Sequence, residues 1–299
     1  MRRLACITAL LSCALWAGEP RLSAQKQGQV FVSLKGPDGA PVSDLQVGDV
    51  SITEDGVACK TLKVEPIDWP VKLQVLIDNG KANTNPINPL RDGLNAFFEQ
   101  IPADVEVSVY TTSPQPRPIG KPTTDKAQLS KNIGLIAPDG GAGAFFDALF
   151  EAATRVDKDK APNYFPVLFM IGSDFGRVNM NDRDFQRLQE FILKHAMTVH
   201  IVVMASSSGV GSSGGGAQTE IGLAVTKLSG GRYENIATTN RLATLLPEIG
   251  KKIAESAARQ RHQFRVTYER AGNPKPGAPI ALSVSKPGTP TLTLDGHMP

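Results

Sequence analysis

The feature that most constrains this chain is a short, mostly apolar segment that ends at an acidic residue. Val71–Ile77 has the length and composition of a buried strand; Asp78 follows it directly, and helix-forming sequence begins near residue 87. Open α/β sheets commonly place a ligand site just beyond the carboxyl end of such a strand. The segment therefore predicts a helix-covered sheet with a candidate site at Asp78.

Between residues 69 and 259, predicted strands alternate with predicted helices. Continuous apolar runs such as Val167–Ile171 and Val199–Val203 suit strands that are covered on both faces, which favours a mostly parallel sheet of Rossmann-like type. We predict strands at about 71–78, 104–111, 166–173, 198–205 and 231–236, and helices at about 87–100, 125–136, 144–156, 182–196, 217–229 and 240–258.

The two flanks of this region have a different character. Residues 25–68 and 260–299 contain short alternating segments separated by Gly and Pro, which is typical of antiparallel strands. Neither flank is long enough to bury a good core alone. We therefore predict that they pack together as one small, Ig-like β-sandwich, with the α/β region of residues 69–259 inserted between them.

Residues 1–24 have the pattern of a secretory signal peptide. Arg2 and Arg3 precede the apolar segment Leu4–Ala17, and Leu22–Ala24 fits a small-residue cleavage site. The apolar segment is short for a membrane span, and no later apolar run reaches that length. The sequence therefore predicts an exported protein, secreted or periplasmic, with no membrane span after cleavage.

The charge balance argues against a nucleic-acid partner. Without residues 1–24 the chain keeps 29 basic and 28 acidic side chains, so it has no large excess of either sign with which to bind a polyanion. Cys59 is then the only remaining cysteine and cannot form an internal disulfide. A small, buried, apolar side chain is the expectation for it.

Three segments in this order resemble a von Willebrand factor A-type domain. They are the strand that ends at Asp78, the helix-opening segment Gly140–Leu149, and Val167–Asp174. The upstream segment Asp49–Gly56 is similar to one found in secreted relatives of a von Willebrand A-related family known mostly from acidobacteria. The resemblance covers nearly all of the chain beyond residue 24, and it implies a protein-binding adhesion or scaffold function rather than an enzyme.

The resemblance also implies a place for a metal-ion-dependent adhesion site, which in that family has an Asp-x-Ser-x-Ser loop, a Thr and a second Asp. Here Asp78 matches the first Asp, but Gly80 and Ala82 stand at the two serine positions. Gly143 stands at the threonine position. Gly172 stands at the second Asp position, or Asp174 if the alignment is shifted by two.

Mg²⁺ requires several hard oxygen ligands, and few of the expected ones remain. We therefore predict a degenerate site that needs no cofactor, with its ligand-binding loops represented by the residues Asp78, Asn79, Gly80, Ala82, Gly143, Gly172 and Asp174. One alternative is a metal-dependent (Mg or Mn) adhesion site in which Asp78 and Asp174 bind the ion. Another interpretation of Asp78 is structural, since a carboxylate at a strand end can accept hydrogen bonds from backbone N–H groups.

A nucleotide-binding enzyme is the alternative from another functional class. Gly209–Gly214 matches the glycine spacing of a dinucleotide loop. The match lies in a Gly/Ser-rich tract late in the chain, where such spacing arises easily by chance. The four histidines show no metal-ligand spacing. The prediction is a protein or other macromolecular partner at the cell surface or in the periplasm.

Overall fold

Two six-stranded sheets form the framework of the part of the chain that the structure describes. A computed structural model describes residues 27–81, 87–141, 143–160, 163–174, 179–205, 215–272 and 278–293. The strands are β1 (Gln27–Lys35), β2 (Val50–Glu54), β3 (Val57–Ile67), β4 (Val71–Ile77), β5 (Glu106–Thr111), β6 (Arg117–Pro118), β7 (Phe165–Ser173), β8 (Thr198–Met204), β9 (Tyr233–Ile236), β10 (Gln263–Glu269), β11 (Ile280–Val284) and β12 (Thr289–Thr293). The helices are α1 (Ile87–Gln100), α2 (Lys126–Gly134), α3 (Phe145–Lys158), α4 (Asp182–Lys194), α5 (Gly215–Leu228) and α6 (Leu242–Gln260).

The first sheet is mostly parallel, as predicted. Its strand order is β6-β5-β4-β7-β8-β9, and only β6 runs antiparallel to its neighbour. Strands β7 and β8 are mostly apolar, and every residue in them is buried. This pattern is the one that continuous apolar runs favour. The short edge strand β6 was not predicted, because two residues give no periodic signal.

Helices cover the two faces of this sheet in two groups. Helices α1, α2 and α6 share one apolar core with the sheet. Helices α3, α4 and α5 share the other. On the first face, α1 and α6 approach closely at two glycines: a Cβ atom at Gly93 would lie 3.0 Å from Leu246 Cδ1, and one at Gly250 would lie 2.9 Å from the Phe97 carbonyl oxygen.

The second sheet is antiparallel and combines both flanks of the chain. Its order is β11-β2-β3-β10-β1-β12, so β10 from the C-terminal flank lies between β3 and β1 from the N-terminal flank. Only residues 285–288 separate β11 from β12, although these strands stand at opposite ends of the order. The sheet therefore curls around its own apolar core, and Cys59 packs against that core partly buried.

The sheets join at the amino edge of the parallel sheet. Ile67, the last residue of β3, lies opposite Gln263 at the start of β10, and β4 begins a few residues later. Trp69 packs against Phe165 across this junction, with ring centroids 5.5 Å apart. At the far end of β10, Glu269 pairs with Gln27. The carboxyl ends of the parallel strands lie at the other end of those strands from this junction.

Within the residues that the structure describes, no helix combines the length and apolar character that crossing a membrane requires. The predicted signal peptide, residues 1–24, lies outside those residues.

The pairing of β1 with β10 gives a test of how the flanks are joined. Gly28 lies opposite Tyr268, and a Cβ atom there would overlap the Tyr268 ring. We expect Gly28→Ala to lower the free energy of unfolding by about 1–3 kcal/mol through overpacking. Gly48→Ala is the matched control, because nothing lies within 4 Å of its Cβ position. Equal stability of the two variants in urea denaturation would contradict this packing.

Candidate functional site

The candidate site lies where the strand order of the parallel sheet changes direction. After β4, the chain places β5 on one side of it and β7 on the other. Asp78 directly follows β4, so it stands at this switch point on the edge where the parallel strands end, hereafter the carboxyl edge. Ligand sites in open α/β sheets are commonly found at such positions.

The Asp78 carboxylate is enclosed by protein donors. Its exposed fraction is 1%. The Gly80 N–H donates to Oδ1 at 2.8 Å, and the N–H and hydroxyl of Ser173 donate to Oδ2 at 3.4 and 3.2 Å. These bonds satisfy buried carboxylate oxygens that would otherwise be costly to remove from water. They are of the kind expected from the structural interpretation of Asp78.

Glycines pack directly around this carboxylate. A Cβ atom at Gly143 would overlap Asp78 Oδ1, and one at Gly172 would overlap the Phe145 ring. At Gly80, a Cβ atom would lie 2.8 Å from the Gly141 carbonyl oxygen and 2.9 Å from the Gly143 nitrogen. None of the three positions has room for a side chain in this arrangement, so the backbone of one loop lies against the other.

Asn79 joins three loops of the carboxyl edge. Its exposed fraction is 7%. The side-chain amide donates to the Ala137 carbonyl at 2.8 Å and accepts from the Ser113 N–H at 3.2 Å. Its backbone carbonyl accepts from the Asp139 N–H at 2.7 Å. The residue therefore acts as a rigid bridge between the loops that follow β4, β5 and α2.

The remaining predicted residues are placed less centrally. Asp174 is half-buried and its N–H donates to the Met204 carbonyl at 3.1 Å, which ties the end of β7 to β8. Ala82 and the glycine loop 209–214 lie outside the described residues. The structure thus places Gly80, Gly143 and Gly172 around the Asp78 carboxylate, and Asn79 bridges neighbouring loops beside it.

Sequence reasoning missed four polar residues at this edge, namely Thr112, Ser113, Asp139 and Ser173. Ser173 donates to Asp78, and Ser113 donates from its hydroxyl to Asp139 at 3.4 Å. Thr112 is fully buried, and in the described part of the chain its hydroxyl oxygen has no hydrogen-bond partner. Each of the three hydroxyl residues lies at, or just after, the end of a strand adjacent to β4, which is the signal that could have identified them.

The charged groups at this edge are mostly acidic. Lys81 is exposed, whereas Asp139, Asp147 and Asp174 are half-buried. Asp147 accepts a hydrogen bond from the Asn179 amide at 3.0 Å. Across the described residues, no three His, Cys, Asp or Glu side chains are grouped closely enough to hold a metal ion.

Comparison with solved structures agrees with this architecture. No family model and no curated protein matches the sequence. A von Willebrand factor type A structure from Catenulispora acidiphila is similar, with a TM-score of 0.51 and 12% identity over 91% of this chain and 73% of that chain. The chain has a von Willebrand A-type fold.

Two further solved structures are similar over a smaller part of the chain. The VWA domain of SpRpn10 has a TM-score of 0.45 and 16% identity over 61% of this chain and 97% of that domain. Proximal thread matrix protein 1 from the mussel byssus, described with a zinc-occupied MIDAS motif, has a TM-score of 0.46 and 11% identity over 69% of this chain and 49% of that chain. At these TM-scores neither adds to the fold assignment.

The contact between Gly143 and Asp78 can be tested by a double-mutant cycle. We expect Gly143→Ala to lower the free energy of unfolding by about 1–3 kcal/mol, because its Cβ atom would overlap the carboxylate. In an Asp78→Ala background the same substitution should cost less, since the overlapping atoms are gone, with a coupling energy of about 1 kcal/mol.

Gly140→Ala is the control for this cycle. It changes a neighbouring glycine of the same loop, and nothing lies within 4 Å of its Cβ position. Additive effects of the Gly143 and Asp78 substitutions in urea denaturation would argue against the direct contact.

Proposed function

We propose that this chain is an exported, non-enzymatic protein that binds another macromolecule, most simply a protein, through the loops of the carboxyl edge. The binding is of the adhesion or scaffold type and does not require a divalent ion. The predicted signal peptide supports export, and the von Willebrand A-type fold supports the choice of this edge as the binding face.

The observation that carries the metal-independent part is the enclosure of Asp78. Both carboxylate oxygens accept hydrogen bonds from Gly80 or Ser173, and the carboxylate is almost fully buried. A Mg²⁺ ion needs about six oxygen ligands in near-octahedral geometry. The close packing at Gly80 and Gly143 leaves no space at two of the positions where the family has hydroxyl side chains.

Exposed residues are available on the same edge for contact with a partner. Three loops contribute them: the first after β4, the second after β5 and the third before α3. They include Lys81, Pro114, Gln115, Pro138 and Gly140. The bridge made by Asn79 holds these loops in fixed relative positions, and such preorganisation reduces the entropic cost of binding.

The metal-dependent alternative, with Asp78 and Asp174 as ligands of Mg²⁺ or Mn²⁺, predicts a stability change that our proposal does not. An ion that binds only the folded state with a Kd of about 0.1 mM would add about 2.7 kcal/mol at about 10 mM free ion. We expect neither ion to raise the Tm of the wild-type chain through Asp78. Thermal denaturation and calorimetric titration with each ion check this.

Asp78→Asn is the matched variant for the metal test. A rise of several degrees in the wild type that disappears in Asp78→Asn would establish the metal-dependent alternative and overturn our proposal. A rise of equal size in both proteins would report ion binding elsewhere, and the proposal for this edge would stand.

The binding face is tested by charge reversal at two lysines, one in each sheet region. Lys81→Glu changes the carboxyl edge, whereas Lys60→Glu changes an exposed lysine on β3, opposite Glu269 at the far end of β10. In affinity capture from the envelope and secreted fractions of the source cells, we expect EDTA to leave the captured partner unchanged. Lys81→Glu should weaken capture at least tenfold, and Lys60→Glu should not. Loss of capture in EDTA, or equal effects of both substitutions, would contradict the proposal.

A further inference from the structure

A buried histidine in the parallel sheet has a structural role that the proposed function does not use. His200 lies in β8 with an exposed fraction of 1%. Its neighbours in strand alternation, Val202 and Met204, belong to the apolar core shared with α1 and α6. Because side chains alternate along a strand, His200 points towards the same face.

The hydrogen bond of His200 fixes which ring nitrogen carries the proton. The backbone N–H of Arg232 donates to His200 Nδ1 at 3.1 Å. A nitrogen that accepts a hydrogen bond is unprotonated, so the neutral ring carries its proton on Nε2. That nitrogen is buried and, among the residues described, has no hydrogen-bond partner. The site therefore suits the neutral ring.

The Arg232 contact is part of a short connection, residues 229–232, that joins α5 to β9 and is hydrogen-bonded to β8. The Val199 N–H donates to the Ser229 hydroxyl at 3.0 Å, and the Ile201 N–H donates to the Arg232 carbonyl at 2.8 Å. A Cβ atom at Gly231 would overlap the Val199 carbonyl, so the connection lies directly on the strand. These contacts hold β9, a four-residue edge strand, on β8.

The charged groups that face His200 are mainly cationic. Lys252 from α6 and Arg232 both disfavour a positive charge on the ring, and the neighbour in register on β7 is the uncharged Phe169. The Arg232 side chain is itself paired with Glu234 at 2.5 Å and Glu248 at 3.6 Å. Burial first, and then these two cations, lower the pKa of His200 to about 3.

We propose that His200 is an acid-sensitive switch at the β9 edge of the parallel sheet. When the ring is protonated, it can no longer accept the hydrogen bond from the Arg232 N–H, and β9 separates from β8. The consequence reaches the carboxyl edge, because the Ala205 N–H donates to the carbonyl of Ile236, the last residue of β9, at 2.9 Å. Acid would therefore alter the loops next to the proposed binding face.

The direction of the pH dependence follows from the lowered pKa of His200. The folded-state pKa lies below the ordinary value of 6.5, so the open state binds the proton more readily. The contribution of the neutral His200 ring to the pairing of β9 with β8 is complete above pH 6.5 and is lost as the pH falls towards 3. In that window the equilibrium constant for opening rises about tenfold for each pH unit.

Native-state hydrogen exchange of the full chain, corrected for intrinsic rates, tests this proposal. Between pH 7 and pH 5 we expect the protection of the Ile201, Arg232 and Ala205 amides to fall by about 25-fold. This is the change expected if the His200 ring regains its ordinary pKa of 6.5 when β9 separates from β8. The Thr112 amide, which donates to the Ile77 carbonyl between β5 and β4, is the internal reference and should change much less.

His200→Asn keeps an acceptor oxygen near the position of Nδ1 but cannot be protonated in this range. We expect it to abolish the local loss of protection. His262→Asn, a change at an exposed histidine, should leave the loss as in the wild type. Persistence of the loss in His200→Asn, its absence in the wild type, or an equal loss at Thr112 would overturn the proposal.

An NMR titration of the wild-type His200 ring keeps the proposal falsifiable if His200→Asn fails to fold. Titration of the ring near pH 6.5, with the Arg232 amide still protected, would overturn it. A His200 ring that stays neutral at every pH at which the Arg232 amide is protected would support the proposal.

Discussion

A buried carboxylate at the switch point of the parallel sheet organises the surrounding loops. The buried Asp78 carboxylate accepts hydrogen bonds from its own loop and from the end of β7, and these bonds offset the cost of removing its oxygens from water. These hydrogen bonds hold the loop after β4 against the end of β7. The absence of side chains at Gly80 and Gly143 allows the backbone of that loop and of the loop before α3 to pack closely around the carboxylate. Asn79 then connects the same loop to two others. The arrangement gives Asp78 a structural role, and in the proposed function recognition falls to the exposed residues around it.

The positions of the elements could be predicted because their signals are local. The apolar runs in β7 and β8 and the helical spacing in α1 depend on residues close in sequence, so strand and helix positions agreed to within a few residues. The joining of the flanks was also predictable in outline, since neither could bury a core alone. Their strand order was not, because the placement of β10 between β1 and β3 depends on partners more than 190 residues away in the sequence.

The candidate site was predicted less completely, for a physical reason. In sequence, Gly80, Gly143 and Gly172 indicate the loss of side-chain ligands. In the structure, the same glycines are needed for close packing against Asp78 and Phe145. A single sequence shows which atoms are missing but cannot show what occupies their space. Ser173 and Thr112 were missed because a lone hydroxyl at a strand end becomes informative only when the neighbouring strand is known.

The register of β1 against β10 sets how this molecule can be oriented on a support. Gln27 pairs with Glu269, at the end of β10 away from the junction with β4, whereas the loops beside Asp78 lie at the end of β4 away from that junction. A linker joined ahead of Gln27 would therefore point those loops away from the surface that carries it. Biosensor chips and display scaffolds built with such a linker would leave them accessible, with the curled sheet as a spacer.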